Sequence, residues 1–383
     1  MKIVHVLTRF LKAGSEENTL LTCEGQLEAG HEVHIVHGAE FDPVVIAGID
    51  PRIRVHTLAT MVHPVRPLQD LRACRAMAAL FRQLSPDVVH THQSKAGVIG
   101  RWAARRVGVP HVVHGVHIVS FDNVSRISRM VYLAAEHMAT RWTDAFIHVS
   151  QGVRRSYELQ GIGAGKPHEV VYSGMDIARF VHARPPADWR ELLGLPEGAQ
   201  KPLVALMLAA YEPRKRQLQL VEAFGRLQGG RAGVHLLLAG GGHQRAQIQA
   251  AAEAAGLGGH VTALGFHTRP EDLVALADVC LLTSEREGLP RVVVQYLACG
   301  KPVIVSRVEG IEEIVEDEVN GLITPADDVS AAVRALLQLA QDPDLRERLA
   351  AGARVADVQR WDRSKMHVGM RHAYARIGAV AHA

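Results

Sequence analysis

Two doubly wound parallel α/β domains are the fold class this sequence predicts, on three observations. Short apolar runs alternate with longer segments of helical period, the rhythm of a parallel sheet with crossover helices. That rhythm restarts beyond the proline-bearing stretch Arg184-Pro185-Pro186. A chain of 383 residues, at roughly 150 per domain, makes two domains. The expected division is 1–180, 181–360 and a tail of 361–383.

The elements follow in order. Ile3–Leu7 reads as a strand, Glu17–Glu28 as a helix closed by Gly30, and Val33–Val36 as a second strand. Leu68–Leu84 has helical period, Asp87–His90 is a strand, and a helix runs from Ala96 to Val107, where Gly108 and Pro110 end it. His111–Gly115 is the next strand. The second half places strands at Leu203–Ala209, Val234–Ala239, Val279–Thr283 and Pro302–Val305. Trp361–Ile377 is helical with no strand after it, so it is expected to pack back across the junction. Two such domains facing each other would leave a cleft at the carboxyl ends of both sheets, where ligands bind in these folds.

Composition removes several classes. At 48% hydrophobic and 22% charged the chain can bury a full core, which excludes disordered, collagen-like and disulfide-scaffold proteins. Cys23, Cys74, Cys280 and Cys299 form no CxxC pair and sit among apolar neighbours, a usage that suits a reducing compartment. No apolar run approaches the ~18 residues of a membrane span. The start MKIVHVLTRF is too short for a signal peptide, so a cytoplasmic protein is expected. Residues 66–129 carry ten basic and three acidic side chains, a band suited to an anionic membrane surface or a phosphate. With 5% aromatics and none interleaved among the basic residues, nucleic acid is the weakest partner.

Several motif look-alikes fail. Gly161 to Lys166 is one position short of a P-loop and Pro167 replaces its hydroxyl residue. Gly240-Gly241-Gly242 would need a glycine at Arg245 for GxGxxG, so it reads as a tight strand-to-helix turn. His90 and His92 lie on one face of a strand end, and His114 and His117 end the next strand. The carboxylate or thiolate complement of a metal site is missing nearby, so no metal is expected and the imidazoles read as neutral groups in a polar cleft, His117 nearest the ligand.

Two segments carry chemistry. Glu212-Pro213-Arg214-Lys215-Arg216 leaves the first strand of the second half, where cations can neutralise a diphosphate. Thr283-Ser284-Glu285-Arg286-Glu287-Gly288-Leu289-Pro290 follows a strand and precedes the helix Val292–Ala298. A helix N-terminus beyond a Gly-Leu-Pro turn suits a phosphate, and a carboxylate at Glu287 suits vicinal sugar hydroxyls.

Here the sequence resembles the family 4 glycosyltransferases of GT-B fold over nearly its whole length. The carriers are AGSEENTL, HTHQSKAGVIGRWAARRVGVPHVVHGVHIVSF, YSGMDIARF, EREGLPRVVVQYLACGKPVIVS and VEGIEEIVEDEVNGLITPADD. The resemblance implies sugar transfer from a nucleotide-diphosphate donor with retention and no catalytic metal or other cofactor. The donor would lie in the second domain and a glycan or lipid-linked acceptor in the first. It implies Gly14 under the diphosphate, His117 on the donor sugar, Lys215 on the leaving diphosphate and Glu287 on sugar hydroxyls, with Gly288 and Leu289 in the donor subsite.

Two positions depart from the family pattern. Its second signature glutamate is Gln295 here, in the ribose subsite, and its usual arginine before the lysine is Ala210, whose charge Arg214 or Arg216 would replace. A binding homologue without turnover, or a nucleotide-sugar epimerase, is the rival reading. The acceptor-side domain is expected to meet the inner face of the cell membrane through Arg101, Arg105, Arg106, Arg126 and Arg129 beside Trp102, Ile127, Met130 and Val131.

Overall fold

In β1 (Lys2–Leu7) every residue from Ile3 onward is buried, which is what a strand covered on both faces of a parallel sheet requires. A computed structural model describes residues 1–379; the last four residues of the expected 361–383 tail lie outside the described residues. β1 sits at the middle of the first sheet. It pairs in parallel with β2 (Glu32–His37) on one side and β4 (Val88–His92) on the other. β3 (Arg54–Thr57), β5 (His111–Val116), β6 (Ala145–His148) and β7 (His168–Val170) complete the order β3-β2-β1-β4-β5-β6-β7. The second sheet repeats the plan with β8 (Leu203–Leu208), β9 (Val234–Ala239), β10 (Val261–Ala263), β11 (Val279–Leu282), β12 (Val303–Ser306) and β13 (Gly321–Thr324), in the order β10-β9-β8-β11-β12-β13. All pairings are parallel. The expectation of two parallel α/β domains is met.

Each sheet reverses its winding between a pair of adjacent strands, β1 and β4 in the first and β8 and β11 in the second. Loops leaving those strands open into the crevice where such sheets take ligands. The helices Gly14–Glu28 and Ser94–Arg106 follow β1 and β4, and the helices Gln217–Arg226 and Arg291–Ala298 follow β8 and β11.

The chain divides into Met1–Met175 with the segment from Trp361 onward, and Asp176–Arg360. The first unit ends ahead of Arg184-Pro185-Pro186 because Met175 is tied to the tail. Its N–H donates to the Trp361 carbonyl at 2.9 Å, and the Arg363 N–H donates to its own carbonyl at 3.0 Å. The tail helix Arg363–Arg376 packs Met366, Met370, Ala373 and Tyr374 on Ile3, Val88, Val113 and Ile147 of the first sheet. The other face of that sheet is covered by the helices Pro67–Leu84 and Ser94–Arg106, through Ala73, Met77, Phe81, Ile99 and Ala103. Within the second unit Val204, Leu206, Leu236, Leu238, Val279, Leu281 and Ile304 are fully buried.

The Gly240-Gly241-Gly242 turn behaves as a turn. A Cβ on Gly240 would stand 2.0 Å from the Ala209 carbonyl oxygen, and one on Gly242 2.6 Å from that of Tyr211. Glycine lets the turn after β9 lie against the chain leaving β8.

Candidate donor-binding site

Lys215 and Glu287 leave β8 and β11, the two strands that flank the reversal point of the second sheet. The two loops are sewn together before any ligand is considered. Thr283 Oγ1 donates to the Lys215 carbonyl at 3.0 Å, and the Glu285 N–H donates to the Arg214 carbonyl at 2.8 Å. Lys215 Nζ then donates to Glu287 Oε1, and Arg214 Nη1 lies 3.7 Å from Glu287 Oε2. Both members of the Lys215–Glu287 pair are mostly buried. Burial raises the Glu287 carboxyl, but the charges of Lys215 and then Arg214 outweigh it and hold the group below its ordinary range. The residue is therefore an anion, and an acceptor of hydrogen bonds, at neutral pH.

The three consecutive basic residues do different things. Arg214 also reaches Glu212 at 2.9 Å. Arg216 takes a left-handed backbone, φ +61°, and its guanidinium is held by the Ala326 carbonyl and by Glu285 at 3.2 Å. Arg216 thus braces the loop, while Lys215 and Arg214 converge on Glu287. Gly288 and Leu289 are buried beneath the helix Arg291–Ala298, and Gln295 is half-buried on that helix. Ala210 is half-buried, its carbonyl accepting from Gln217 Nε2 at 2.9 Å.

The first unit holds the other two predicted residues. Gly14 is exposed and opens the helix Gly14–Glu28 without a side-chain cap. One residue missed by the sequence reading lies two positions on. Glu16 is buried, accepts from Gln93 Nε2 at 3.3 Å, and has its carboxyl raised chiefly by burial. Gln93 in turn accepts from the N–H groups of Thr8 and Arg9 at 2.9 and 3.3 Å, which fixes the loop after β1.

His117 follows β5 and stands at the end of a chain of imidazoles. Its Nε2 is 2.8 Å from His92 Nδ1, His92 Nε2 is 3.0 Å from His5 Nδ1, and His5 Nε2 is 2.8 Å from Gln26 Oε1. Gln26 Nε2 reaches the Tyr374 hydroxyl at 3.2 Å, and that hydroxyl reaches His90 Nδ1 at 2.9 Å. His90, His92 and His114 are fully buried rather than lining an open polar cleft, which corrects the expectation for them. The alternation of histidines along β4 was the signal available; nothing adjacent in sequence marked His5, Gln26 or Tyr374.

His5, His90 and His92 place one ring nitrogen each within 4.8 Å of one another. Five of their six nitrogens are already engaged in that chain, with His90 Nε2 alone lacking a partner. Imidazoles committed this way are a hydrogen-bond network, and they supply no carboxylate or thiolate for an ion.

The expected basic band needs a second correction. Arg101 is fully buried, donating to Glu136 Oε2 at 2.9 Å, to the Gly97 carbonyl at 2.8 Å and to Thr143 Oγ1 at 3.3 Å. Trp102 packs into the first core. A guanidinium can stay inside only where such partners compensate its lost hydration. Arg105 is paired with Asp144 and half-buried, and Arg106 and Arg126 are exposed.

Two family models cover this chain. The one described as glycosyl transferases group 1 matches residues 196–356, and the glycosyl transferase 4-like domain matches residues 13–174. The lipopolysaccharide core biosynthesis glycosyltransferase LpsE of Rhizobium meliloti is 33% identical over 286 residues, 73% of this chain and 78% of that protein. The Escherichia coli UDP-Gal:alpha-D-GlcNAc-diphosphoundecaprenol alpha-1,3-galactosyltransferase is 26% identical, over 77% of this chain and 76% of its own. Among solved structures, sucrose-phosphate synthase from Thermosynechococcus elongatus superposes with a TM-score of 0.81 at 21% identity, covering 100% of both chains. HepE of Anabaena, in complex with UDP-glucose, gives 0.78 at 22% identity, covering 99% of this chain and 100% of that one.

Proposed function

Because the chain belongs to the family 4 glycosyltransferases, enzymes of GT-B fold, we propose that it moves a sugar from a nucleotide-diphosphate donor, with retention, to a glycan, glycolipid or other glycoconjugate acceptor in polysaccharide or lipopolysaccharide synthesis. The observation that carries this reading is the Lys215–Glu287–Arg214 cluster at the reversal point of the second sheet. A cation pair suits a leaving diphosphate, and a carboxylate held ionised suits the hydroxyls of the sugar. The helix Arg291–Ala298 adds its N-terminal N–H groups toward phosphate. Lys215 and Arg214 take the diphosphate and Glu287 the donor sugar, and His117 is proposed as a further contact to that sugar. Gly14 lies under the diphosphate, and Gly288 and Leu289 form the floor of the donor subsite. The departing phosphate takes the acceptor proton on the face it leaves, so no second carboxylate is needed as a base. The anomeric configuration of the transferred sugar, read by NMR, tests retention: an inverted product would overturn it.

Gln295 is proposed to stand in the ribose subsite. An amide offers one acceptor oxygen where a carboxylate offers two, so Gln295→Glu is expected to tighten donor binding a few-fold, in keeping with about 1 kcal/mol gained when a charged acceptor replaces a neutral one. Calorimetric titration with the nucleotide sugar measures this, and unchanged affinity would remove Gln295 from that subsite. The diphosphate charge is met by side chains and helix dipole, so EDTA is expected to leave turnover intact. Loss on chelation restored by Mg²⁺ would contradict the donor chemistry proposed.

The acceptor side is proposed to work at an anionic membrane surface. No helix among the described residues is long and apolar enough to cross a membrane. The helix Arg126–Ala139 nevertheless turns Ile127, Met130 and Val131 outward, 77%, 70% and 62% exposed, beside Arg126. Leu68 and Leu71 do the same on the helix Pro67–Leu84, beside Arg72 and Arg75. An apolar stripe with basic neighbours suits the headgroup region. Attachment at about 1 kcal/mol per basic residue would be reversible and weakened by salt. Co-sedimentation with anionic vesicles at low salt, lost at high salt, is the expected result. No binding at low salt would leave an enzyme acting on a soluble acceptor.

A further inference from the structure

We propose that Gln26, through His5 and His92, is a positioning residue that decides which ring nitrogen of His117 carries the proton. This rests on the reading of His117 as a contact to the donor sugar, and it specifies what that contact can be. Gln26 Oε1 can only accept, so His5 must carry its proton on Nε2, 2.8 Å away. A neutral His5 then presents Nδ1 as an acceptor, and His92 Nε2–H donates to it at 3.0 Å. His92 Nδ1 becomes an acceptor in turn, and His117 Nε2–H donates to it at 2.8 Å. With the Gln26 amide in this orientation, each step follows from the one before. His117 Nε2 is thereby fixed as a donor toward His92, so in the neutral ring Nδ1 is the nitrogen of acceptor character.

Three further observations hold the chain in place. Gln26 Nε2 donates to the Tyr374 hydroxyl at 3.2 Å, and that hydroxyl donates to His90 Nδ1 at 2.9 Å, so the amide has a partner on each side. Burial pushes His5 down to about 4 and His92 and His90 well below the ordinary imidazole range, so these rings stay neutral. Gly115, paired with His92 across β4 and β5, leaves the ring room: a Cβ there would stand 2.8 Å from His92 Nδ1. A second hydrogen bond that fixes the tautomer of a working imidazole is a general device of sites that need one nitrogen of defined character. Tyr374, 348 residues from Gln26, joins the chain because the tail helix packs on the first sheet.

The test is the tautomer itself. In the full-length protein labelled with nitrogen-15 histidine, long-range proton–nitrogen correlation at neutral pH is expected to show His117, assigned by its loss in His117→Gln, with the proton on Nε2. Gln26→Met keeps the size and removes the acceptor; it should mix the two tautomers and raise the donor KM about fivefold, the worth of about one hydrogen bond. Binding of the free nucleoside diphosphate should not change. Gln26→Glu keeps an acceptor toward His5 and should restore both the single tautomer and the KM. A wild-type proton on His117 Nδ1 would overturn the proposal, as would a Gln26→Met protein that retains the Nε2–H form. The wild-type spectrum decides the first point even if Gln26→Met fails to fold. His117→Ala with undiminished donor affinity would instead sink the reading of His117 as a sugar contact, whatever the spectrum shows.

Discussion

Lys215→Ala is expected to lower kcat by about 10²–10³ at saturating donor, the cost seen when one preorganised charge is removed from a developing anion. The variant should stay folded, because Arg214 still faces the Glu287 carboxylate and the side chain belongs to a loop rather than the core. The variant also exposes a second effect. Without Lys215, burial acts on Glu287 against only the Arg214 charge, 3.7 Å away, and the Ser284 hydrogen bond, so its carboxyl rises. The residual activity of Lys215→Ala should therefore fall off at a higher pH than that of the wild type as the solution is acidified. Glu287→Ala removes sugar positioning and should cost less, with a larger share in donor KM. Steady-state kinetics across pH measure both. Near wild-type turnover in Lys215→Ala would remove the lysine from the diphosphate.

Arg101→Ala carries the largest expected loss of stability, about 3–5 kcal/mol, because it strands the buried Glu136 carboxylate. In a unit of this size that corresponds to roughly 6–20 °C in Tm. His114 Nε2, 3.9 Å from Glu136, is the nearest group able to compensate by taking a proton. Burial and then the Arg101 charge hold His114 well below its ordinary value. Removing the guanidinium lifts one of those two effects, so the variant should lose less stability at acid pH than at neutral pH. The paired substitution Arg101→Met with Glu136→Leu removes both charges and should recover most of the loss. Thermal melts of the three proteins check this. A small effect of Arg101→Ala would mean that the pair is solvated.

The central strands were legible because they are the buried ones. β8 (LVALML) and β11 (VCLL) are apolar runs, and their loops led directly to Lys215 and Glu287, which the fold brings together from 72 residues apart. The outer strands were not legible for the opposite reason. β3 is RVHT, β7 is HEV and β10 is VTA, short and without an apolar run, so only pairing with an inner neighbour makes them strands. The same contrast runs through the site. A loop that leaves a strand announces itself locally, whereas Gln26 and Tyr374 acquire a role only through partners on other elements. Arg101 shows the cost of reading charge without partners. Its neighbours Arg105 and Arg106 suggested a basic surface, and its burial depends on Glu136, on the next helix.

The central claim is that the Lys215–Glu287 site takes a nucleotide-diphosphate sugar and releases the nucleoside diphosphate on transfer. It is tested most directly by incubating the full-length protein with a panel of nucleotide sugars and lipid-linked acceptor from membranes, and measuring the nucleoside diphosphate released. The expected result is acceptor-dependent release from at least one donor, slowed about 10²–10³-fold in the Lys215→Ala protein. Tight binding of a nucleotide sugar with no release from any donor would contradict it.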